Sequence, residues 1–516
     1  MRSFRIPSLA AAWAVAVASA SLLLGCVTAP SQVENWWTLR TRHFEITSAL
    51  DPEATRRLGT DLELFRSGVE FLLGSQLKSA PIRTRVYAFD GRSVARPFAL
   101  RGEPSYVLPS ADGLLLVLRT GGGWRRDASL ETRLELARFF LRNREGLELP
   151  LWYDEGFGLF AGTLKVGDGS FEVGLPRLDF LTLLRKRLQL SIGHLIQIQD
   201  LVDLGMRERE IFDAEAWALV HYLSFQTGNP SQARRRFDRY FSRVQRGSGY
   251  RTALEEAFGE SPEALQKALS EYVRRRSFDA MQISAPSRLA TAIDEPRPLP
   301  RARALPRLGW LAIQLERPGL ARDHFQAALE IDPGSASALT GLAASARLEA
   351  KPGEASAAIQ RALALYPDDA LVQLEAGQIA ATEALREPDP SRRKQLASRA
   401  RDHYEASLRD LDTNPGAWAR IGASYLIPGQ NPERGVAPLE RAQRLLPSSL
   451  EIELLRARVD AARGQASAAR YLATSVASRT LSPTLGREAR AFLEEIGGNL
   501  ANVPAPARQR GPTPER

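Results

Sequence analysis

Two carboxylates set the chemical question. Glu135 lies in Leu134-Glu135-Leu136-Ala137-Arg138, and Glu155 lies in Leu149-Pro150-Leu151-Trp152-Tyr153-Asp154-Glu155-Gly156-Phe157. A pair of carboxylates can act as general acid and base. A helical glutamate flanked by histidines four residues apart can instead hold zinc and activate its water. Here Leu134 and Arg138 stand where those histidines belong. A guanidinium stays charged and fills space a cation would need. The five histidines are His43, His194, His221, His324 and His403, and no two are three or four residues apart. Cys26 is the only cysteine, which excludes disulfides and cysteine-ligated zinc. No nucleophile elbow, phosphate loop or dinucleotide fingerprint offers another chemistry, so neither a metal nor any other cofactor is expected.

The run Pro150-x-Trp152-x-x-Glu155-Gly156 resembles the corresponding segment of the peptidase-MA-like (gluzincin) family, in which the glutamate is the third zinc ligand. A second stretch, Ala214 to Leu223 (AEAWALVHYL), resembles a helix of that family's helical lobe. The resemblance implies a zincin fold whose metal site has decayed: Glu135 matches the base and Glu155 the ligand, while Leu134 and Arg138 match neither histidine. Asp154 and His221 are near-site candidates, and His221 either lines the former cleft or is a satisfied core histidine. In the family fold these positions converge, which implies an Arg138–Glu155 salt bridge with Glu135 nearby and Leu134 packed on apolar neighbours. Two other readings stay open: ordinary amphipathic helices with surface glutamates, and a hydrolase using the surviving carboxylates or an unconventional metal site.

The elements that position these residues follow from periodicity. Leu134, Ala137, Phe140 and Leu141 recur at helical spacing, and a second helix opens near Trp152. Upstream, residues 42–47 and 83–89 alternate as strands do, 52–73 have helical spacing, and Leu114 to Leu118 form an apolar run suited to a buried strand. Ser170 to Gly174 reads as a small strand, with helices after it. An α+β zincin-like domain is therefore expected over 35–278. A proline- and arginine-rich extended connector is expected over 279–301.

Beyond the connector, Leu305, Leu308, Ala312, Ala321, Ala328 and Pro333 recur 34 residues later as Leu339, Leu342, Ala346, Ala355, Ala362 and Pro367. That is the tetratricopeptide period. Trp418-x-x-Ile421-Gly422-x-x-Tyr425 matches the first-helix signature. About five helix pairs are expected over 302–482, with an insertion looping out around Arg386 to Leu396. A capping helix over 483–496 and a disordered tail over 497–516 complete an all-α solenoid. Its concave surface suits a protein or peptide partner.

The N-terminus has a basic start (Arg2, Arg5) and an apolar run, Ala10 to Leu24, too short for an ordinary membrane span. It ends in Leu23-Leu24-Gly25-Cys26, which resembles the bacterial lipoprotein box. The resemblance implies removal of residues 1–25, lipidation of Cys26 and a tether over 26–34. Val27 follows where inner-membrane lipoproteins carry Asp, which points to the outer membrane, facing the periplasm. The 516 residues carry a net charge of +9, or +7 without Arg2 and Arg5. This charge reads as solvated surface rather than a nucleic-acid interface, so the membrane is expected to be met through the lipid anchor only. The sequence thus favours a non-catalytic envelope scaffold. Replacing Cys26 with Ser should move the protein from membrane to soluble periplasmic fractions, and unchanged membrane retention would contradict lipidation.

Overall fold

A computed structural model describes residues 35–74, 82–91, 95–100, 105–120, 124–144, 149–186, 190–201, 204–285, 293–409, 412–480 and 482–497. The lipoprotein box with Cys26, the tether and nearly all of the expected tail lie outside the described residues. The first domain comprises β1 (Trp36–Arg40), β2 (Phe44–Ser48), α1 (Pro52–Leu73), β3 (Thr84–Asp90), β4 (Tyr106–Ser110), β5 (Gly113–Thr120), α2 (Trp124–Asp127), α3 (Leu130–Arg142) and α4 (Leu151–Ala161). It continues through β6 (Lys165–Val166), β7 (Ser170–Val173), α5 (Leu178–Lys186), α6 (Ile192–Leu195), α7 (Met206–Phe225), α8 (Pro230–Gln245), α9 (Tyr250–Phe258), α10 (Pro262–Tyr272), β8 (Met281–Ser284) and β9 (Arg297–Leu299).

The larger sheet has the order β4-β5-β3-β2-β1-β9. Its centre is parallel (β2 with β3, β3 with β5), and the pairings toward its two edges are antiparallel. Side chains alternate across it. Ile46, Val86, Ala88, Leu114, Leu116 and Leu118 face a core shared with α1, α3 and α4. Tyr87, Phe89, Leu115 and Val117 face the other way.

That second face is covered by the solenoid, which corrects the expected connector. Residues 281–284 pair with β7 in a second sheet, β6-β7-β8, and residues 297–299 pair with β1. Both ends of the proline-rich stretch therefore belong to the first domain, because its sheet edges offer unpaired backbone groups that an adjoining extended segment can satisfy. The repeats follow without a gap: α11 (Arg301–Gln314) with α12 (Pro318–Ile331), α13 (Ala336–Leu348) with α14 (Pro352–Leu365), and α15 (Ala370–Arg386) with α16 (Pro390–Ser407). Then come α17 (Pro415–Ser424) with α18 (Val436–Leu445), α19 (Leu450–Ala462) with α20 (Ala466–Arg479), and the last helix α21 (Pro483–Glu495). Leu305, Leu308, Leu311 and Phe325 of the first pair complete one core with Tyr87, Phe89, Leu115 and Val117.

The insertion also differs from expectation. Only 387–389 separate α15 from α16, and these helices are 17 and 18 residues long, against 13 and 14 in the preceding pair. The extra residues extend both helices, which keeps their backbone groups bonded within the helix. Successive first helices pack on one another (α11 on α13, α13 on α15, α17 on α19), so they line the inner side of the curve.

Small residues let the helices of a pair close up. A Cβ on Gly422 would lie 2.5 Å from Leu439 Cγ and 3.0 Å from the Gly435 carbonyl oxygen. Replacing Gly422 with Leu should destabilise the protein by about 1–3 kcal/mol through overpacking, read as a lowered denaturant midpoint. An unchanged midpoint would show that the fourth pair is looser than described.

Candidate functional site

The site is built by three helices. Ser129 caps α3, accepting from the Thr132 amide, and α3 carries Glu135, Arg138 and Arg142 along one side. α4 opens after Pro150 with Asp154 and Glu155 in its first turn and a half, where the helix dipole favours negative charge. α7 crosses α4 and brings Arg209 and Asp213 from its own first turns. A Cβ on Gly158 of α4 would lie 2.7 Å from both Cγ and Nε of Arg138, so the glycine leaves a channel for the arginine stem.

The implied Arg138–Glu155 pair is present. Arg138 Nη2 donates to Glu155 Oε2, and its Nη1 donates to Glu135 Oε1 at 2.7 Å. A second guanidinium shares the same carboxylate: Arg209 Nη2 lies 2.5 Å from Glu155 Oε2, and Arg209 Nε is 3.0 Å from Asp213 Oδ1. Beside them, Arg142 grips Asp154 through Nε, at 3.0 Å to each oxygen, and through Nη2 at 2.5 Å. The side chains of Arg138 and Glu155 are 6% and 2% exposed, so their charges are almost fully desolvated and depend on one another.

Electrostatics follow from burial and these pairs. Burial raises the Glu135 pKa, with Arg138 and Arg142 opposing. Burial pushes Asp213 up to about 6, against the pull of Arg209 and with repulsion from Glu155 adding to it. Asp154 is held below the usual carboxylate range: burial works to raise it, and Arg142 outweighs that. Arg138 is held firmly protonated, since Glu155 and Glu135 outweigh the cost of its burial.

His221 is elsewhere. It is fully buried in an aromatic nest of Phe160, Trp217, Phe225, Tyr272 and Phe278. Its Nε2 lies 2.9 Å from the Gly174 carbonyl oxygen and its Nδ1 2.7 Å from the Tyr272 hydroxyl. Burial pushes its pKa down to about 4. It is a satisfied core histidine. Leu134 is half-buried against the core, with its backbone close to Gly162. Arg142, Arg209 and Asp213 do not stand out in the sequence. Arg209 and Asp213 stand four residues apart in an arginine- and glutamate-rich helix start, which reads as a solvated face until α4 is laid against it.

A zinc ion fits this arrangement poorly. Among the described residues no group of three or more His, Cys, Asp or Glu side chains is placed to hold a metal, and two guanidiniums occupy the one carboxylate that matches a ligand. The carboxylates share arginines within one network instead.

The inner side of the solenoid is the second candidate surface, and the first domain takes much of it. Arg307, two residues before Gly309, donates to Thr47 Oγ1 at 2.9 Å and to Glu45 Oε1 at 3.1 Å. Arg420, two residues before Gly422, makes a fork of two 2.7 Å bonds to Asp112. Glu451 accepts from the Ala111 amide at 2.7 Å. The fifth pair reaches the α3–α4 end: Asn143 Oδ1 accepts from the Ser448 amide, and Arg479 lies close enough to Asp154 to lower its pKa. In the middle of the array, Glu375 occupies the repeat position of Arg307 and Arg420, but pairs with Arg347 at 2.6 Å within the solenoid. A cavity of about 390 Å³ opens there beside the lengthened third pair, lined by Arg347, Ala355, Ile379, Arg386, Glu387 and Leu396 among others.

No family model and no curated protein matches the chain. Among solved structures it is similar to TTC0263, a thermophilic TPR protein of Thermus thermophilus, at 18% identity over 37% of this chain and 99% of that one, with a TM-score of 0.34. It is similar to PilF of Pseudomonas aeruginosa at 20% identity over 38% and 85%, TM-score 0.29. PilW, a widely conserved type IV pilus biogenesis factor, aligns at 18% identity over 38% and 92%, TM-score 0.29.

Replacing Glu155 with Ala leaves Arg138 with Glu135 alone in a desolvated site and should cost up to about 3–5 kcal/mol. Adding Arg138→Leu should recover a clear part of that loss, because Arg209 still has Asp213. Denaturant midpoints of the single and double variants decide it. A double variant no more stable than the single would mean that Arg138 does not depend on Glu155.

Proposed function

We propose that the chain is a non-catalytic scaffold of the cell envelope: a degenerate peptidase-MA-like domain carrying tetratricopeptide repeats that hold a protein or peptide partner. One observation carries the reading. Arg138 and Arg209 both bond one oxygen of the carboxylate that matches a zinc ligand, so the residues that would run a hydrolysis are bound to each other. The zincin identity rests on the resemblance of the Pro150–Gly156 and Ala214–Leu223 segments. The helix pair α3–α4 packed beside a mixed sheet is compatible with it. Lipidation of Cys26 and outer-membrane attachment facing the periplasm belong to the same proposal. The partner surface is placed on the middle pairs, where the first domain leaves the 390 Å³ cavity open.

Metal content of the purified full chain tests the non-catalytic half. Well under one zinc per chain is expected, unchanged by Glu155→Ala. One equivalent of zinc that Glu155→Ala removes would overturn the scaffold reading in favour of a metallohydrolase.

A further inference from the structure

The first domain brings Arg185, Arg236 and Arg275, from three segments far apart in the sequence, together around Tyr222 and Tyr272. Helix α8 with the residue after it carries Arg234, Arg235, Arg236, Arg239, Arg243 and Arg246, against the single acid Asp238. Arg243 is paired with Glu256 and Asp238 with Arg144, while Arg235, Arg236, Arg239 and Arg246 have no ion-pair partner among the described residues. Arg236 and Arg275, which follows α10, both lie within electrostatic reach of Tyr222 on α7. Tyr222 and Tyr272 form an edge-to-face pair at 5.2 Å, and the Arg275 guanidinium sits 5.0 Å over the Tyr272 ring. Arg185 at the end of α5 joins them, donating to the carbonyls of Val273 and Arg275 at 3.0 and 2.9 Å. Exposed Arg274, Arg276 and Lys186 flank this group. Glu260, Glu271 and Asp279 are nearby carboxylates without an ion pair among the described residues, and Asp179, beside Leu178, is paired with Arg177. Cations outnumber acids across the face.

The arrangement selects among anionic partners. A single phosphate is held by donors that converge on one point. Here Arg185 is committed to backbone carbonyls, Arg274 to the Ser270 carbonyl, and Arg275 to a ring, so the charge is spread rather than focused. Half-buried Tyr222, with an apolar ring and a polar tip, suits the boundary between headgroups and acyl chains, while Tyr272 is buried beneath it with its hydroxyl bonded to His221. An aliphatic side chain stands on the same side. Leu178 is 70% exposed and lies two turns before Arg185 on α5, hence on one helical face with it. From these features we infer that this face rests on an anionic phospholipid bilayer, with guanidiniums over the headgroups and Leu178 pressed into their boundary. The contact is separate from acylation of Cys26 and does not depend on it.

A local probe separates this contact from any N-terminal anchoring. The full chain carrying Cys26→Ser and Thr182→Cys takes an environment-sensitive fluorophore at residue 182, one turn from Leu178, and a matched label at Gln360→Cys on the solenoid serves as reference. Vesicles of phosphatidylcholine with about one-third phosphatidylglycerol should raise the residue-182 signal several-fold, while pure phosphatidylcholine leaves it nearly unchanged. Each cation near an anionic leaflet contributes about a fivefold preference. Arg236→Glu with Arg275→Glu should therefore abolish the rise without altering the thermal midpoint, and about 0.5 M salt should suppress it in the parent chain. An equal rise with both vesicle types, or a rise that survives the double reversal, would overturn the inference. So would a response to soluble polyglutamate in the absence of any response to vesicles, which would assign the face to an acidic protein.

Discussion

The rest of the structure depends on a sheet that has no solvent face. In β3 and β5 the residues pointing to either side are apolar, so both sides need a cover of comparable area. Helices α1, α3 and α4 cover one. The first domain covers only part of the other, with Ala95 and with Phe98 stacked on Phe89, and the first repeat pair completes it through Leu305, Leu308, Leu311 and Phe325. Burying a side chain of this size is worth about 1.5–3 kcal/mol relative to leaving it exposed, so separating the two parts would expose many such residues at once. The solenoid is therefore structural before it is anything else. A cut at residue 302 would divide a core.

The same economy of space shapes the charge cluster between α3, α4 and α7. A buried glutamate without a cation is costly, and Arg138 reaches it only because Gly158 offers no side chain in the way. Arg209 then adds a second positive charge to one oxygen, which would be excessive unless further carboxylates stood close by. Glu135 and Asp213 do, and Asp213 retains its proton more readily than an ordinary aspartate. The cluster is balanced as a group, not as one pair. Such a network fixes the relative position of the three helices.

How much of this is legible in the sequence depends on range. Local periodicity places α3, α4 and the repeats, since a 34-residue recurrence survives any tertiary detail. The run Leu114 to Leu118 also announces a strand buried on both sides. Nothing local says which element buries its far side. The connector misleads for the same reason: proline-rich stretches look alike whether they dangle or complete a sheet edge, and the pairing of Arg297–Leu299 with β1 spans most of the first domain. Arg209 is hidden among neighbouring arginines and glutamates on a helix start that is only partly solvated. His221 as a core residue is the easier reading, its neighbours Trp217 and Phe225 being visible at helical spacing.

One repeat position ties the solenoid to the first domain. Counting two residues back from the small residue in the first helices of the first four pairs gives Arg307, Gly341, Glu375 and Arg420. Where the first domain comes near, at Arg307 and Arg420, the position holds an arginine bonded to that domain's carboxylates. At Gly341 and Glu375 it holds nothing that reaches outward: one has no side chain, and the other is consumed by Arg347. A solenoid built only to bind partners would have no reason to alternate in this way. The two ends of the inner curve are specialised for the chain's own sheet domain, and the middle is left plain. There the lengthened third pair breaks the regular surface and creates a cavity that a strict 34-residue array would lack. The repeats on either side of the insertion hold the first domain in place, and the insertion alone departs from the regular array between them.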